Sequence, residues 1–157
     1  MSVMTHAEYI TRMRNDYFGG VMREDRAGVW SCFTDDARVT IYHGDNEVRQ
    51  FHRNPGPGQK SFDFFYGHLW QNYKVLFTDF RWIVDVEHEC AAATFLPRLD
   101  PKPGSEYLAT GQMNLNNCNF FWFRGRDIAD MIIYYANPTL GATMGAAAPT
   151  PTAFPKG

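Results

Sequence analysis

Apolar side chains at Ile10, Met13, Tyr17 and Val21 recur three or four positions apart. They draw one stripe of an amphipathic helix from Thr5 to about Arg23, with Thr5 and Glu8 spaced as a capping box. Gly19 and Gly20 each cost about 1 kcal/mol relative to Ala inside a helix, so they predict close packing or an early helix end. Asp25 is placed to cap a second, short helix that turns Val29, Trp30 and Phe33 inward and stops near Thr34. The period then changes from helical to alternating. Ala37 to His43 reads as a strand, His43-Gly-Asp-Asn46 has turn chemistry, and Glu47 to Arg53 reads as the returning strand of a hairpin.

Asn54-Pro-Gly-Pro-Gly58 breaks regular structure. After it Phe62, Phe65, Leu69 and Tyr73, with His68 between them, predict a third helix over Ser61 to Tyr73 with a largely aromatic inner face. The rest alternates in long strands: Phe77 to Glu87, Cys90 to Leu99, Tyr107 to Phe123 and Ile128 to Ala136. Helices followed by a mostly antiparallel sheet make an α+β layer arrangement, a curved sheet wrapped around three helices as a cone with an open mouth. The domain is expected to span residues 1–138. The tail at 139–157, rich in Pro, Ala and Gly, buries too little apolar surface to fold alone.

Composition narrows the partners. A chain of 157 residues with 15 basic and 17 acidic side chains, and no run of either sign, lacks the footprint of a nucleic-acid binder. Aromatic residues make up 16% of the chain, which suits either the walls of a ligand pocket or a Phe-rich core with an apolar face between subunits. Cys32, Cys90 and Cys118 lie far apart without a Cys-x-x-Cys pair, no apolar run reaches membrane-spanning length, and Met-Ser-Val-Met-Thr-His has no leader character. These features point to a cytoplasmic protein with no membrane or disulfide framework. The five histidines show no metal-ligand spacing and no glycine-rich phosphate motif occurs, so neither metal nor nucleotide cofactor is expected.

Several residues carry candidate chemistry. Strand alternation turns His43 to the same face as Ile41, and His68 sits among Phe62, Phe65, Tyr66 and Trp70; each imidazole suits general acid-base work near neutral pH or, alternatively, a structural role. Asn114, Asn116, Asn117 and Asn119 are unusual for a core strand, because each buried amide needs partners that water or a ligand inside the cone would supply.

The stretch Tyr17 to Val39, the Asp35-Asp36-Ala37 sequence and the ending Phe121 to Pro138 resemble the NTF2-like superfamily over residues 8 to 138. Within it the chain is similar to SnoaL-like cyclases and ketosteroid isomerases, and its Tyr134-Tyr-Ala-Asn-Pro138 close to the PhzA/PhzB proteins of phenazine biosynthesis. The resemblance implies a tyrosine donor at Tyr17 and a second donor at Asn119, where isomerases carry a protonated aspartate. It puts the isomerase base at Ile41, which has no base to offer, and aligns His68 with a ligand-contacting histidine. It also implies a homodimer through the sheet face. Together these readings nominate His68, His43, Tyr17 and Asn119 as catalytic, with His68 or His43 moving the proton. Phe65, Asn72, Asn117, Phe121 and Tyr134 are nominated to contact substrate, with Asn137 beside Tyr134 as further polar lining. The expected activity is isomerisation, dehydration or cyclisation of an apolar ring compound, and the alternative is a non-catalytic ligand-binding or dimeric scaffold protein.

Overall fold

A computed structural model describes residues 3–137. The tail from 139 to 157 lies outside the described residues. The first helix is built in three registers: α1 (His6–Thr11), a π-helical stretch (Arg12–Phe18) and α2 (Gly19–Met22). The capping box forms as spaced, with the Glu8 backbone N–H donating to Thr5 Oγ1 at 3.3 Å and the Thr5 N–H to the Glu8 carboxylate at 2.8 Å. The wider π register turns a consecutive run, Tyr17 to Val21, into the interior. Gly19 and Gly20 therefore mark close packing rather than a stop, since a Cβ on Gly20 would lie 3.0 Å from Val29 Cγ2. Asp25 caps α3 (Arg26–Trp30) by accepting from the Gly28 N–H at 2.9 Å.

Eight strands form one curved sheet in the order β3-β2-β1-β8-β7-β5-β4, with β6 pairing β5. They are β1 (Phe33–Tyr42), β2 (Arg49–His52), β3 (Lys60–Ser61), β4 (Tyr73–Asp85), β5 (Cys90–Pro101), β6 (Met113–Asn114), β7 (Asn116–Arg124) and β8 (Asp127–Ala136). All neighbours are antiparallel except β1–β8 and β2–β3. The α+β architecture expected from the periodicity is the one observed. One long predicted strand is not continuous. Residues 107–123 instead contain a 3-10 turn at Leu108–Thr110, a positive φ of 74° at Gly111, and the short β6 before β7 begins. β4 starts at Tyr73, four residues earlier than alternation suggests, because α4 (Tyr66–Asn72) ends where the chain turns extended at Tyr73.

Curvature has an identifiable source. Between Thr78 and Arg81, β4 spends one residue more than β5, and Asp79 takes a φ of 59°, so the strand kinks and the sheet bends over the helices. Arg12 fastens the helix to the far side of the cone. It donates to the Asp127 carboxylate at 2.8 Å, the Arg126 carbonyl at 3.0 Å and the Ser31 carbonyl at 2.8 Å. That anchor fixes the stretch that carries Tyr17.

Candidate active site

Between the helices and the concave face of the sheet lies a cavity of about 390 Å³, within the size range of small-molecule sites. Its closed end is aromatic and aliphatic, with Phe18, Ile41, Phe51 and Phe95 all buried. Its rim carries the exposed residues Lys60, Phe64 and His68. Among the described residues, no aspartate or glutamate lines it. Among the described residues, no three His, Cys, Asp or Glu side chains gather as metal ligands.

Tyr17 points into this apolar end, 3% exposed, and its hydroxyl lies 2.9 Å from that of Tyr66, which is itself 1% exposed. Burial pushes both phenols well above the ordinary tyrosine range, so each keeps its proton at any physiological pH. Two protons are then available for one hydrogen bond between them. Whichever hydroxyl donates within the pair, the other is left with a proton to offer a ligand oxygen. Asn119 lies on the same concave surface, 1% exposed. Its side-chain oxygen has no partner and its amide nitrogen reaches only Met131 Sδ at 3.9 Å. Asn117, two residues back along β7, also lines the cavity with an unsatisfied buried oxygen. Unmet amides cost about 1 to 3 kcal/mol each, and a ligand with donors or acceptors at that depth relieves the cost.

The two histidines are held alike but not equally. Asn46 donates its amide to the His43 carbonyl at 2.8 Å and to His43 Nδ1 at 2.8 Å; the carbonyl fixes which amide atom is nitrogen, so Nδ1 accepts and Nε2 carries the proton. The His43 ring stacks on Tyr135 at 4.1 Å, and burial, followed by the Arg49 charge, lowers its pKa. His43 is therefore neutral at pH 7. Asn72 approaches His68 in the same way, with its amide 2.9 Å from the carbonyl but 3.4 Å from Nδ1, while Tyr107 Oη lies 3.3 Å from Nε2. The His68 ring is exposed and loosely held at both nitrogens.

The structure brings Tyr17, His43, His68, Asn119, Asn117 and Phe65 onto one cavity wall. Four other nominated residues lie elsewhere. Asn72 is buried beneath His68, where it donates to the His68 carbonyl at 2.9 Å and its oxygen accepts from Ser105 Oγ at 3.0 Å, off the cavity wall. Phe121 is fully buried below the floor, edge-on to Tyr17 at 5.8 Å. Tyr134 is 45% exposed on the convex face and stacks on Tyr42 at 5.0 Å; its neighbour Tyr135 faces the cavity. Asn137 is likewise off the wall. Tyr66, Arg49, Asn46 and Tyr107 are lining residues that the nominations omitted. Arg49 was open to reading, since it stands two positions before the buried Phe51 on an alternating strand.

Neither a family model nor a curated protein sequence matches the chain. Solved structures do. A candidate polyketide cyclase from Pseudomonas putida aligns over 87% of this chain and 92% of its own, with a TM-score of 0.59 and 18% identity. An NTF2-like protein from Burkholderia xenovorans aligns over 85% and 93%, with a TM-score of 0.63 and 11% identity. A candidate isomerase from Bacillus subtilis aligns over 85% and 90%, with a TM-score of 0.60 and 10% identity. At such identities the likeness establishes the fold, which is NTF2-like, and leaves the chemistry to the residues of this cavity.

Proposed function

We propose that this protein is an enzyme of small-molecule metabolism that isomerises, dehydrates or cyclises an apolar ring compound by general acid-base chemistry. The carrying observation is the Tyr17–Tyr66 phenol pair at the closed end of a cavity whose rim holds two imidazoles. A ring carbonyl accepts from Tyr17, with Tyr66 donating to Tyr17 behind it. His68, whose ring nitrogens are only loosely engaged, removes a proton beside the carbonyl, while His43 can donate a hydrogen bond. The enolate oxygen is held by Tyr17 and by the Asn119 amide, and the proton returns elsewhere on the ring or onto a leaving hydroxyl. Candidate cyclases and an isomerase of the same fold agree with this class of reaction. Three free thiols suit a reducing cytoplasm.

The test needs no native substrate. In D2O, 2-tetralone exchanges its α-protons slowly, and the protein is expected to speed that exchange, followed by proton NMR. Tyr17→Phe is expected to slow it by about 10² to 10³-fold, the cost of one oxyanion donor, with an unchanged circular-dichroism spectrum. Exchange no faster than in buffer, or full rate in Tyr17→Phe, would refute the reading.

A second reading has its own support. Among the described residues no carboxylate lines the cavity, the resemblance to isomerases puts their base at Ile41, which has none to offer, and the His43 acceptor nitrogen is already engaged by Asn46. A binding or scaffold protein of this fold predicts ligand affinity without proton exchange.

The convex face supports a homodimer. A row of apolar or small side chains crosses it in register, Ile83, Ala92, Phe120 and Ile132, with exposed Trp122 and Tyr134 beside it. Exposed apolar patches of this kind mark association surfaces. Sedimentation at micromolar concentration is expected to give a dimer, and Phe120→Glu a monomer; a monomeric wild type would contradict this.

A further inference from the structure

The charges on the cavity wall are all of one sign. Arg49 and Lys60 line it beside His43 and His68, and no acidic side chain among the described residues lines it with them, although acids outnumber bases in the chain as a whole, 17 to 15. Arg49 is the arginine on this wall, and like Arg14, Arg23 and Arg81 it forms no ion pair among the described residues. Arg12, Arg26, Arg38, Arg53, Arg98 and Arg124 each meet an aspartate within 3.1 Å, whereas no carboxylate among the described residues pairs with Arg49. Its one hydrogen bond runs from Nη2 to Tyr135 Oη at 2.8 Å, with the guanidinium 5.9 Å from that ring's centre. Tyr135 thus holds the fork in place while using one of its five N–H donors. A half-buried guanidinium with most of its donors unspent and no ion pair among the described residues is a site prepared for an anion.

Resting on the small-molecule reading above, we infer that the ligand carries a carboxylate, bound by Arg49 at the rim while its ring lies against the aromatic wall. Position supports this polarity. Arg49 opens β2 half-buried, just after the His43–Asn46 turn, while the Tyr17–Tyr66 pair is fully buried, so a ligand can present an acid outward and a carbonyl inward. A single planar fork matches the two oxygens of a carboxylate. A phosphate would ask for a backbone cradle as well, and among the described residues no glycine lines the cavity to open one. Arg49 also helps keep His43 uncharged, which leaves the guanidinium as the principal fixed charge.

The test compares 2-naphthoate with 2-naphthamide, which match in shape and differ in charge, by isothermal titration calorimetry on the full chain. Naphthoate is expected to bind at least about tenfold tighter, as a charge-assisted pair should, and the preference should shrink at high salt. Arg49→Gln should bring the two affinities within about twofold, while Arg49→Lys retains part of the preference; circular dichroism establishes that both variants fold. Equal affinities in the wild type, a preference for the amide, an unchanged preference in folded Arg49→Gln, or no naphthoate binding at millimolar concentration would overturn the inference. Because the readout is equilibrium binding, a protein that selects naphthoate through Arg49 yet exchanges no tetralone protons upholds this subsite and refutes the acid-base reading. The opposite pair of results does the reverse.

Discussion

His68→Ala is expected to lower the rate of tetralone exchange by about 10² to 10⁴-fold, the range for loss of a general base, whereas His43→Gln costs about tenfold at most. The asymmetry comes from how the asparagines hold the two rings. At His43 the 2.8 Å contact commits Nδ1 as an acceptor, so the remaining nitrogen already bears its proton and can only donate while the ring is neutral. A glutamine keeps an N–H near the same place, and one neutral hydrogen bond is worth about 1 kcal/mol net. At His68 the corresponding contact is 3.4 Å and the Tyr107 contact 3.3 Å, both at the weak end of hydrogen bonding, so neither partner holds a ring nitrogen firmly. Exposure at the rim also gives the proton a route to water. The measurement is the exchange rate of each variant beside wild type. A larger loss in His43→Gln than in His68→Ala would move the base to His43, just past the end of β1, and no loss in either would favour the binding-protein reading.

Legibility in the sequence followed the contrast between buried and exposed faces. The first helix, the β1–β2 hairpin and the inward side of β1 were readable because Ala37, Val39 and Ile41 alternate with residues such as Arg38 and Tyr42. That contrast carries His43 onto the wall. On β7 and β8 it vanishes: Phe120 and Phe121, Ile132 and Ile133, Tyr134 and Tyr135 are adjacent pairs of like character, one of each facing out. A sheet apolar on both sides does not reveal its parity, and a one-residue slip sends every side chain to the other face. This is why Tyr134 could be nominated where Tyr135 stands. The Trp122/Phe123 irregularity shifts the register further. The π-helical stretch had no signature in spacing, since Ile10, Met13, Tyr17 and Val21 fit an ordinary α-helix; the inward turn of Tyr17 and Phe18 together is a tertiary outcome. Nor could local pattern place Tyr66 against Tyr17, a contact 49 residues apart in sequence.

Phe18→Ala is expected to cost about 3 to 5 kcal/mol of stability, which urea denaturation followed by tryptophan fluorescence measures as a midpoint lowered by about 2 M for a typical slope. The ring is 1% exposed and sits at the centre of the aromatic core, 4.7 Å from Phe95, 4.9 Å from Phe80, 4.9 Å from Tyr17 and 5.2 Å from Phe77 between centroids. Most of these contacts are edge-on or tilted, so the loss includes quadrupolar pairing as well as buried area. These neighbours belong to the helix and to β4 and β5, on both sides of the kink at Asp79, so they cannot collapse together without unbending the sheet. Phe18 also lines the ligand cavity, and the space it vacates joins that cavity instead of closing as a separate void. Water or ligand can enter such a space, which places the cost toward the lower half of the range. Tyr17 loses the neighbour that fixes its ring, so tetralone exchange should fall with stability in Phe18→Ala. In Tyr17→Phe, by contrast, exchange falls while the urea midpoint moves little. Parallel losses in both variants would mean that Tyr17 acts through packing; separation of the two assigns its hydroxyl to the chemistry.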